Sequence, residues 1–378
     1  MQSELNEFLE SHDSDSIEKI DDSTVFKARL NLAPSAFVDI NRQSVDFFKK
    51  HAETKQWNGF DLIDVDGTTL RLPANEDVAA LFPPQPDAQG NPTGPPLARL
   101  NLLYDPLNNL CLSADLDNIE ISEMDQLIHQ EWQWSSGQLL LADRHYDAFW
   151  LFVWLLQKEA DFCIRMRLDN RPVVQRFAAS GAAEQIVELN PGRSAKSRCR
   201  KRNLPTQPVE IRLIRVTLPD GKFEVLATSL LRSETVSANE FKELYHLRWP
   251  VEEKFKQLKH RVNLENWSGK GPLSVIQDVH ARLWATNLTV LMAKPLEAKI
   301  KARTATRKYN YQINWANALA SMKRWMQRLF SGRKTQFHIE ALSERILTNL
   351  SPIRPDRKNP RNPKTHQREF HMSYKLCF

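Results

Sequence analysis

Tyr245-His-Leu-Arg248-Trp249-Pro250-Val-Glu252-Glu253-Lys-Phe-Lys-Gln-Leu-Lys259 is the stretch around which the rest of this chain can be arranged. On an uninterrupted helix, at about 100° per residue, Tyr245, Arg248, Glu252 and Lys259 fall within an arc of roughly 60°. That face would present one carboxylate flanked by two cations and a phenol. Carboxylates hold divalent cations, and Arg and Lys grip phosphate, so the group reads as a surface for handling phosphodiesters. The competing reading is a solvated face with ordinary Glu–Lys pairs. Glu253 points about 100° away, which favours Glu252 as the working carboxylate. Pro250 lacks an amide hydrogen and disfavours helix at Trp249, so it either kinks one helix or opens a second. In the second case the one-face argument covers only Glu252 and Lys259.

Upstream, the pattern is that of an alternating sheet. Residues 23–56 read as short helices broken near Pro34. Residues 58–73 alternate like a strand, turn at Asp66-Gly67 and resume as a second strand. Residues 82–96, with six prolines and two glycines, form a loop. A hairpin follows, turning at 105–109, then an amphipathic helix over 120–134. The apolar run ending in Asp143 fits a buried strand. A Trp- and Leu-rich helix at 146–158 and a strand at DFCIRMRL come next. Residues 170–235 are β-like and include a basic loop from Arg193 to Arg202 that holds Arg198, Arg200, Lys201 and Arg202. Long helices are expected at 237–262, 272–296 and 313–330, with Ser237 and Glu240 forming a capping box.

This order implies an α/β (α+β) fold: a ribonuclease-H-like mixed sheet flanked by helices, with an inserted β-rich subdomain and helical N- and C-terminal parts. The expected divisions are an acidic helical region at 1–56, a first part of the core at 57–169 and the insertion at 170–235. The catalytic helix and the rest of the core follow at 236–296, then a basic helical region and tail at 297–378. Residues 1–22 and 351–378 are expected to be mobile.

Charge separates strongly along the chain. Residues 1–140 hold 9 Lys/Arg against 24 Asp/Glu, whereas residues 294–378 hold 19 against 5. A basic C-terminal third interleaved with Trp315, Trp325, Phe330 and Phe337 suits a polyanion such as nucleic acid, with a solubilising tail as the alternative. No run of about 18 apolar residues appears, so no membrane span is expected. The acidic, polar start does not read as a signal peptide. Four scattered cysteines form no C-x-x-C pair and offer neither a zinc site nor a disulfide framework, which fits a reducing, cytoplasmic setting. The chain has no G-x-x-x-x-G-K-[ST] loop and no G-x-S-x-G elbow, so neither ATP use nor that serine chemistry is indicated.

Three carboxylates stand at element ends: Asp66, Asp143 and Glu252. Converging from separate elements, they suit two divalent ions, and oxygen ligands favour Mg²⁺ or Mn²⁺. Each has a plainer reading. Asp66-Gly67 is a common turn pair, Asp143 could cap the following helix, and Glu253 stands beside Glu252. Asp64 shares a strand face with Asp66 and is its main rival.

Tyr245-x2-Arg248-x3-Glu252-x6-Lys259 resembles the Tyr-Arg-Glu-Lys (YREK) signature of bacterial insertion-sequence transposases of the DDE type. Asp66-Gly-Thr-Thr-Leu-Arg-Leu-Pro and Leu-Ala-Asp143-Arg-His-Tyr resemble that group's two aspartate blocks, and the likeness covers about residues 58–295. The resemblance implies metal-dependent cleavage at transposon ends and strand transfer into target DNA, by a homodimer on paired ends in the cytoplasm, nucleoid-associated. It implies that Asp66, Asp143 and Glu252 bind the metals and that Tyr245, Arg248 and Lys259 contact phosphates. Trp249 is the candidate for stacking a flipped base, and the basic segments at 193–202 and 294–378 for holding the DNA backbone. Members often carry a longer helical region before the first aspartate. Here the 65 preceding residues are acidic, so either specific end binding is expected elsewhere in the chain or the gene product is shortened. Two alternatives accompany this reading: a nuclease of the same fold, and an inactive end-binding repressor.

Overall fold

The computed structural model describes residues 22–234, 236–332 and 334–354. The expectations for residues 1–21 and for the tail from 355 onward lie outside that set. Along the chain, α1 (Asp22–Leu30) and α2 (Ser35–His51) divide at Pro34, as expected. β1 (Asp61–Arg71) is one unbroken strand, which corrects the expected turn at Asp66-Gly67. A Cβ on Gly67 would come within 2.5 Å of the Glu123 side chain. The glycine therefore serves close approach, not chain reversal. α3 (Glu76–Leu81), capped by Asn75, leads into the proline-rich loop.

β2 (Leu97–Asp105) and β3 (Leu110–Asn118) form the expected hairpin. Asp105 accepts the Leu107 and Asn108 amides at 3.0 and 2.9 Å, which shapes its turn. Ser122 caps α4 (Glu123–His129), a helix shorter than expected. All five residues of β4 (Gln138–Ala142) are buried, as suits an interior strand. α5 (Phe149–Gln157) is apolar all round, and β5 (Asp161–Arg165) follows.

The segment read as β-rich also holds two helices. α6 (Pro172–Ser180) opens on proline and closes at Gly181 with φ 74°. After β6 (Glu184–Leu189), the expected basic loop is instead α7 (Arg193–Arg200). Arg, Lys and Ala are good helix formers, and buried Cys199 anchors the helix from below. β7 (Val209–Thr217) and β8 (Phe223–Thr228) complete the insertion. The expected single helix over 237–262 is two, α8 (Glu240–His246) and α9 (Pro250–His260). Pro250 opens the second, and its Glu252/Glu253 start and Lys259/His260 end suit the helix dipole. α10 (Pro272–Ala293), α11 (Glu297–Thr304), β9 (Tyr311–Ile313), α12 (Trp315–Phe330), α13 (Thr335–Thr348) and β10 (Leu350–Pro352) follow.

The chain divides into two compact units. One comprises residues 53–68 and 99–255. Its eight strands run in the order β3-β2-β1-β4-β5-β8-β7-β6. β1, β4 and β5 pair in parallel, whereas β8, β7 and β6 extend the same sheet antiparallel from β5. The first five strands have the expected ribonuclease-H-like order, and the insertion widens that sheet instead of closing on itself. Successive residues of β5 face opposite sides. Phe162 stacks on Phe152 of α5 at 4.9 Å, and Cys163 packs with Phe241, Leu244 and Tyr245 of α8. Helices thus cover both faces.

The other unit comprises residues 1–52, 69–98 and 256–378, of which the described part is helical apart from strands at its margins. α2 packs along α10, where Asn287 donates to Asn41 at 2.8 Å. Arg29 of α1 reaches Gln277 at 2.7 Å and Asp278 at 3.0 Å. A second core gathers Leu296, Ile300, Ile313, Met322, Leu342 and Ile346. No described helix is long and apolar enough to cross a membrane. Cys111, Cys163 and Cys199 are buried and unpaired to each other.

Candidate active site on the sheet unit

The parallel register of β1 and β4 sets the first pair of residues. Asp61 lies opposite Gln138 and Asp64 opposite Leu141. The same offset carried two residues further brings Asp66 level with Asp143. Neighbouring strands lie about 4.8 Å apart, so Asp66, midway along β1, stands beside Asp143, just past the end of β4. Asp143 also caps the 3₁₀ turn Arg144–Tyr146, accepting the His145 amide at 2.7 Å. Capping does not compete with a functional role here, since that bond occupies only one carboxylate oxygen.

The Glu123 carboxylate, which the sequence does not single out, also acts on Asp66. Glu123, at the start of α4, presses against Gly67 and lies 3.4 Å from the Tyr146 hydroxyl. Burial pushes the Asp66 carboxyl up to about 7, with the neighbouring Glu123 and Asp143 carboxylates adding to the shift and Arg248 opposing it. Crowded anions of this kind are relieved by a cation. The signal for Glu123 in the sequence is the Asp66-Gly67 pair, whose glycine leaves room for the Glu123 side chain.

Asp64 is fully buried, and neither carboxyl oxygen has a hydrogen-bond partner among the described residues. Burial pushes its carboxyl well above the usual range, against the pull of Arg248. It lies in the interior, whereas Asp66 is partly open, so Asp66 is the better placed of the two rivals.

The Tyr-Arg-Glu-Lys residues do not share one helix face, because Tyr245 and Arg248 precede α9. Tyr245 is buried, and its hydroxyl donates to the Ala142 carbonyl at 3.4 Å, beside Asp143. Arg248 is 8% exposed and donates to Glu252 at 2.7 Å. Its guanidinium also lies 5.6 Å from the ring of Trp249, which is 48% exposed. Lys259, in the other unit, donates to the Thr69 carbonyl at 2.7 Å. On α7, Arg198 and Arg200 are exposed, as is Lys201 just beyond it. Arg198 shares a hollow of about 700 Å³ with Arg176 and Arg193. Arg202 is different: it pairs with Asp125 and lies 4.2 Å over the Trp150 ring.

The donors suit a hard divalent cation, since all are carboxylate oxygens and Asp66 is crowded by like charge. Among the described residues, however, no three acidic, His or Cys side chains are gathered closely enough to complete a metal site. Glu252 is engaged by Arg248 instead. The fit is therefore to Asp66 and Asp143, with Glu252 within the same unit but held by its cation.

A family profile described as "Transposase DDE domain" matches residues 57–288. The chain is 26% identical over 273 residues to "Transposase InsG for insertion sequence element IS4" of Escherichia coli (strain K12). The match covers 70% of this chain and 60% of that relative, so the chain spans less than two thirds of the relative's length. A solved piggyBac transposase synaptic complex with hairpin DNA matches at TM-score 0.39 and 10% identity, covering 76% of this chain and 57% of that one.

Proposed function

The chain belongs to the transposase DDE domain family, and from that premise we propose that it cuts DNA at transposon ends and joins the cut ends to target DNA. The observation that carries this reading is the shared register of β1 and β4, which aligns Asp66 with Asp143 beside the Arg248–Glu252 pair. DDE transposases use divalent metal ions. In our reading Asp66, Asp143 and Glu252 would hold the ions, two of Mg²⁺ or Mn²⁺, and the chemistry supplied there would be charge stabilisation at the scissile phosphate and activation of the attacking hydroxyl.

The chain's own groups orient the rest. Tyr245 holds the end of β4 through the Ala142 carbonyl and so steadies Asp143. Arg248, buried and charged, balances the carboxylates and offers its remaining donors to a non-bridging phosphate oxygen. It also keeps Glu252 from swinging free. Lys259 and the exposed Arg198, Arg200 and Lys201 take backbone phosphates, and the working form is a homodimer on paired ends. On this reading the spacing Tyr245-x2-Arg248-x3-Glu252-x6-Lys259 supports membership of the Tyr-Arg-Glu-Lys subgroup.

The test is strand joining. A labelled duplex bearing the element's own terminal repeats is incubated with protein, Mg²⁺ and an unlabelled target. Joined product that requires the metal supports the proposal. Cutting without joining leaves a nuclease of the same fold. End binding without cutting leaves a repressor.

Trp249 gives a separable prediction. It is half exposed, so Trp249→Ala changes stability by no more than about 0.5 kcal/mol. Loss of a stacked base weakens end binding by about 1–3 kcal/mol. Thermal melting and a DNA titration check the two halves, and unchanged binding removes Trp249 from the contact surface.

A further inference from the structure

Two hollows adjoin the turn after Asp143 and share a wall. The larger, about 540 Å³, is lined by Arg144, His145, Arg165, Arg167, Asp169 and Glu224 among others. The smaller, about 300 Å³, is lined by Arg99, Ser122, Glu123, His145 and Arg167 among others. His145 and Arg167 form a saddle between the two. Glu123 lies on the far side of the saddle and belongs to the carboxylate group around Asp66, so the smaller hollow leads to the acidic centre and the larger one away from it.

Arg167 is held at two points. Its amide donates to the buried Asp147 carboxylate at 3.0 Å, and its Nε donates to the Arg144 carbonyl at 3.1 Å. Its two terminal nitrogens have no partner among the described residues, and neither do the side chains of Arg144 and His145. Arg165, by contrast, is engaged by Glu224 at 2.8 Å. A guanidinium fixed through Nε, with its outer pair of nitrogens free, takes a phosphate by two parallel hydrogen bonds. The unpaired acid on the larger wall, Asp169, is opposed there by the free cations of Arg144 and Arg167.

We propose that Arg167, with Arg144 and His145, seats one backbone phosphate of the DNA strand as it passes from the acidic centre over the saddle into the larger hollow. The inference rests on the DNA-processing reading of the site and adds to it a strand path and a phosphate contact. Arg167→Ala removes the side chain and leaves the amide bond to Asp147 intact.

The experiment is a salt titration of duplex binding by fluorescence anisotropy, without divalent metal, for the wild type, Arg167→Ala and Arg167→Lys. A lost phosphate contact lowers the slope of log K against log salt by about 0.9. Arg167→Ala should show that drop and roughly tenfold weaker binding at low salt. Arg167→Lys should keep the slope and lose part of the affinity. A second arm replaces the phosphate next to the scissile one by a neutral methylphosphonate. The wild type should lose about the same factor, and Arg167→Ala should be indifferent to the change. Equal slopes, with equal methylphosphonate responses, overturn the inference while the transposase reading stands. A wild-type protein that binds no DNA overturns both.

Discussion

Asp66→Asn is expected to abolish metal-dependent cleavage while making the metal-free protein more stable at pH 8. The two effects have one cause. On the proposed function, cleavage needs a charged oxygen ligand at Asp66, midway along β1, and an amide is a poor substitute for a carboxylate with a hard cation. Removing one well-placed electrostatic group from an active site typically costs on the order of 10²–10³ in rate, and a metal ligand should cost at least the upper figure. The same carboxyl is held at about 7 in the folded protein, chiefly by burial and then by Glu123 and Asp143. Its ordinary value is near 4. The sign follows directly: the folded state binds the proton more tightly. The associated stability is full below about pH 4 and is lost as pH rises through about 7. At pH 8 the ionised Asp66 therefore costs roughly 4 kcal/mol, which the amide does not. Thermal melting of metal-free wild type from pH 4 to 8 should show a decline that Asp66→Asn flattens. Divalent metal should raise the wild-type melting temperature and leave the variant's unchanged. A flat wild-type profile, or cleavage within tenfold of wild type, would sink the assignment.

Asp147→Ala is expected to be the most destabilising replacement near the site. The Asp147 side chain is completely buried, receives the Arg167 amide at 3.0 Å and pairs with Arg171. Removing it strands a largely buried guanidinium and an amide, and breaking a buried pair from one side costs about 3–5 kcal/mol. The melting temperature should fall by on the order of 10 °C. Asp147→Asn, which keeps an acceptor for the amide, should lie between. Replacing both partners with Leu should recover much of the loss, because the residual cost comes from the orphaned charge. A double variant no better than Asp147→Ala would show that the carboxylate matters for the loop backbone and not for the pair.

Much of the architecture is legible from local pattern. The run Leu139–Ala142 is short and wholly apolar, and it is an interior strand. Pro34 separates two helices, and Asp105–Asn109 reverses a hairpin, each through its own backbone chemistry. Where the reading failed, distant atoms decided. Asp-Gly is ordinarily a turn, but at 66–67 the glycine clears space for a glutamate 56 residues further on. The segment 193–200 looks like a solvated basic loop because seven of its eight residues carry no core signal. Cys199 alone ties it down as a helix. The candidate site residues can be named from the sequence, but their pairing cannot. The Asp143 carboxylate lies near enough to act on Asp66, whereas Arg248 turns its charge inward to Glu252, a choice that depends on how α9 starts at Pro250.

The offset that aligns Asp66 with Asp143 also divides the chain into parts that can change length and parts that cannot. The segments between β1 and β4, the proline-rich loop among them, can lengthen or shorten without disturbing the pairing, since loop closure depends only weakly on length. A slip of one residue within β1 itself would turn Asp66 to the opposite face and bring Val65 or Gly67 into its place. The centre is thus specified by strand phase and not by separation along the sequence. Relatives that keep the chemistry are expected to vary freely in the spacing between the two aspartates and to keep the parity of each aspartate within its strand.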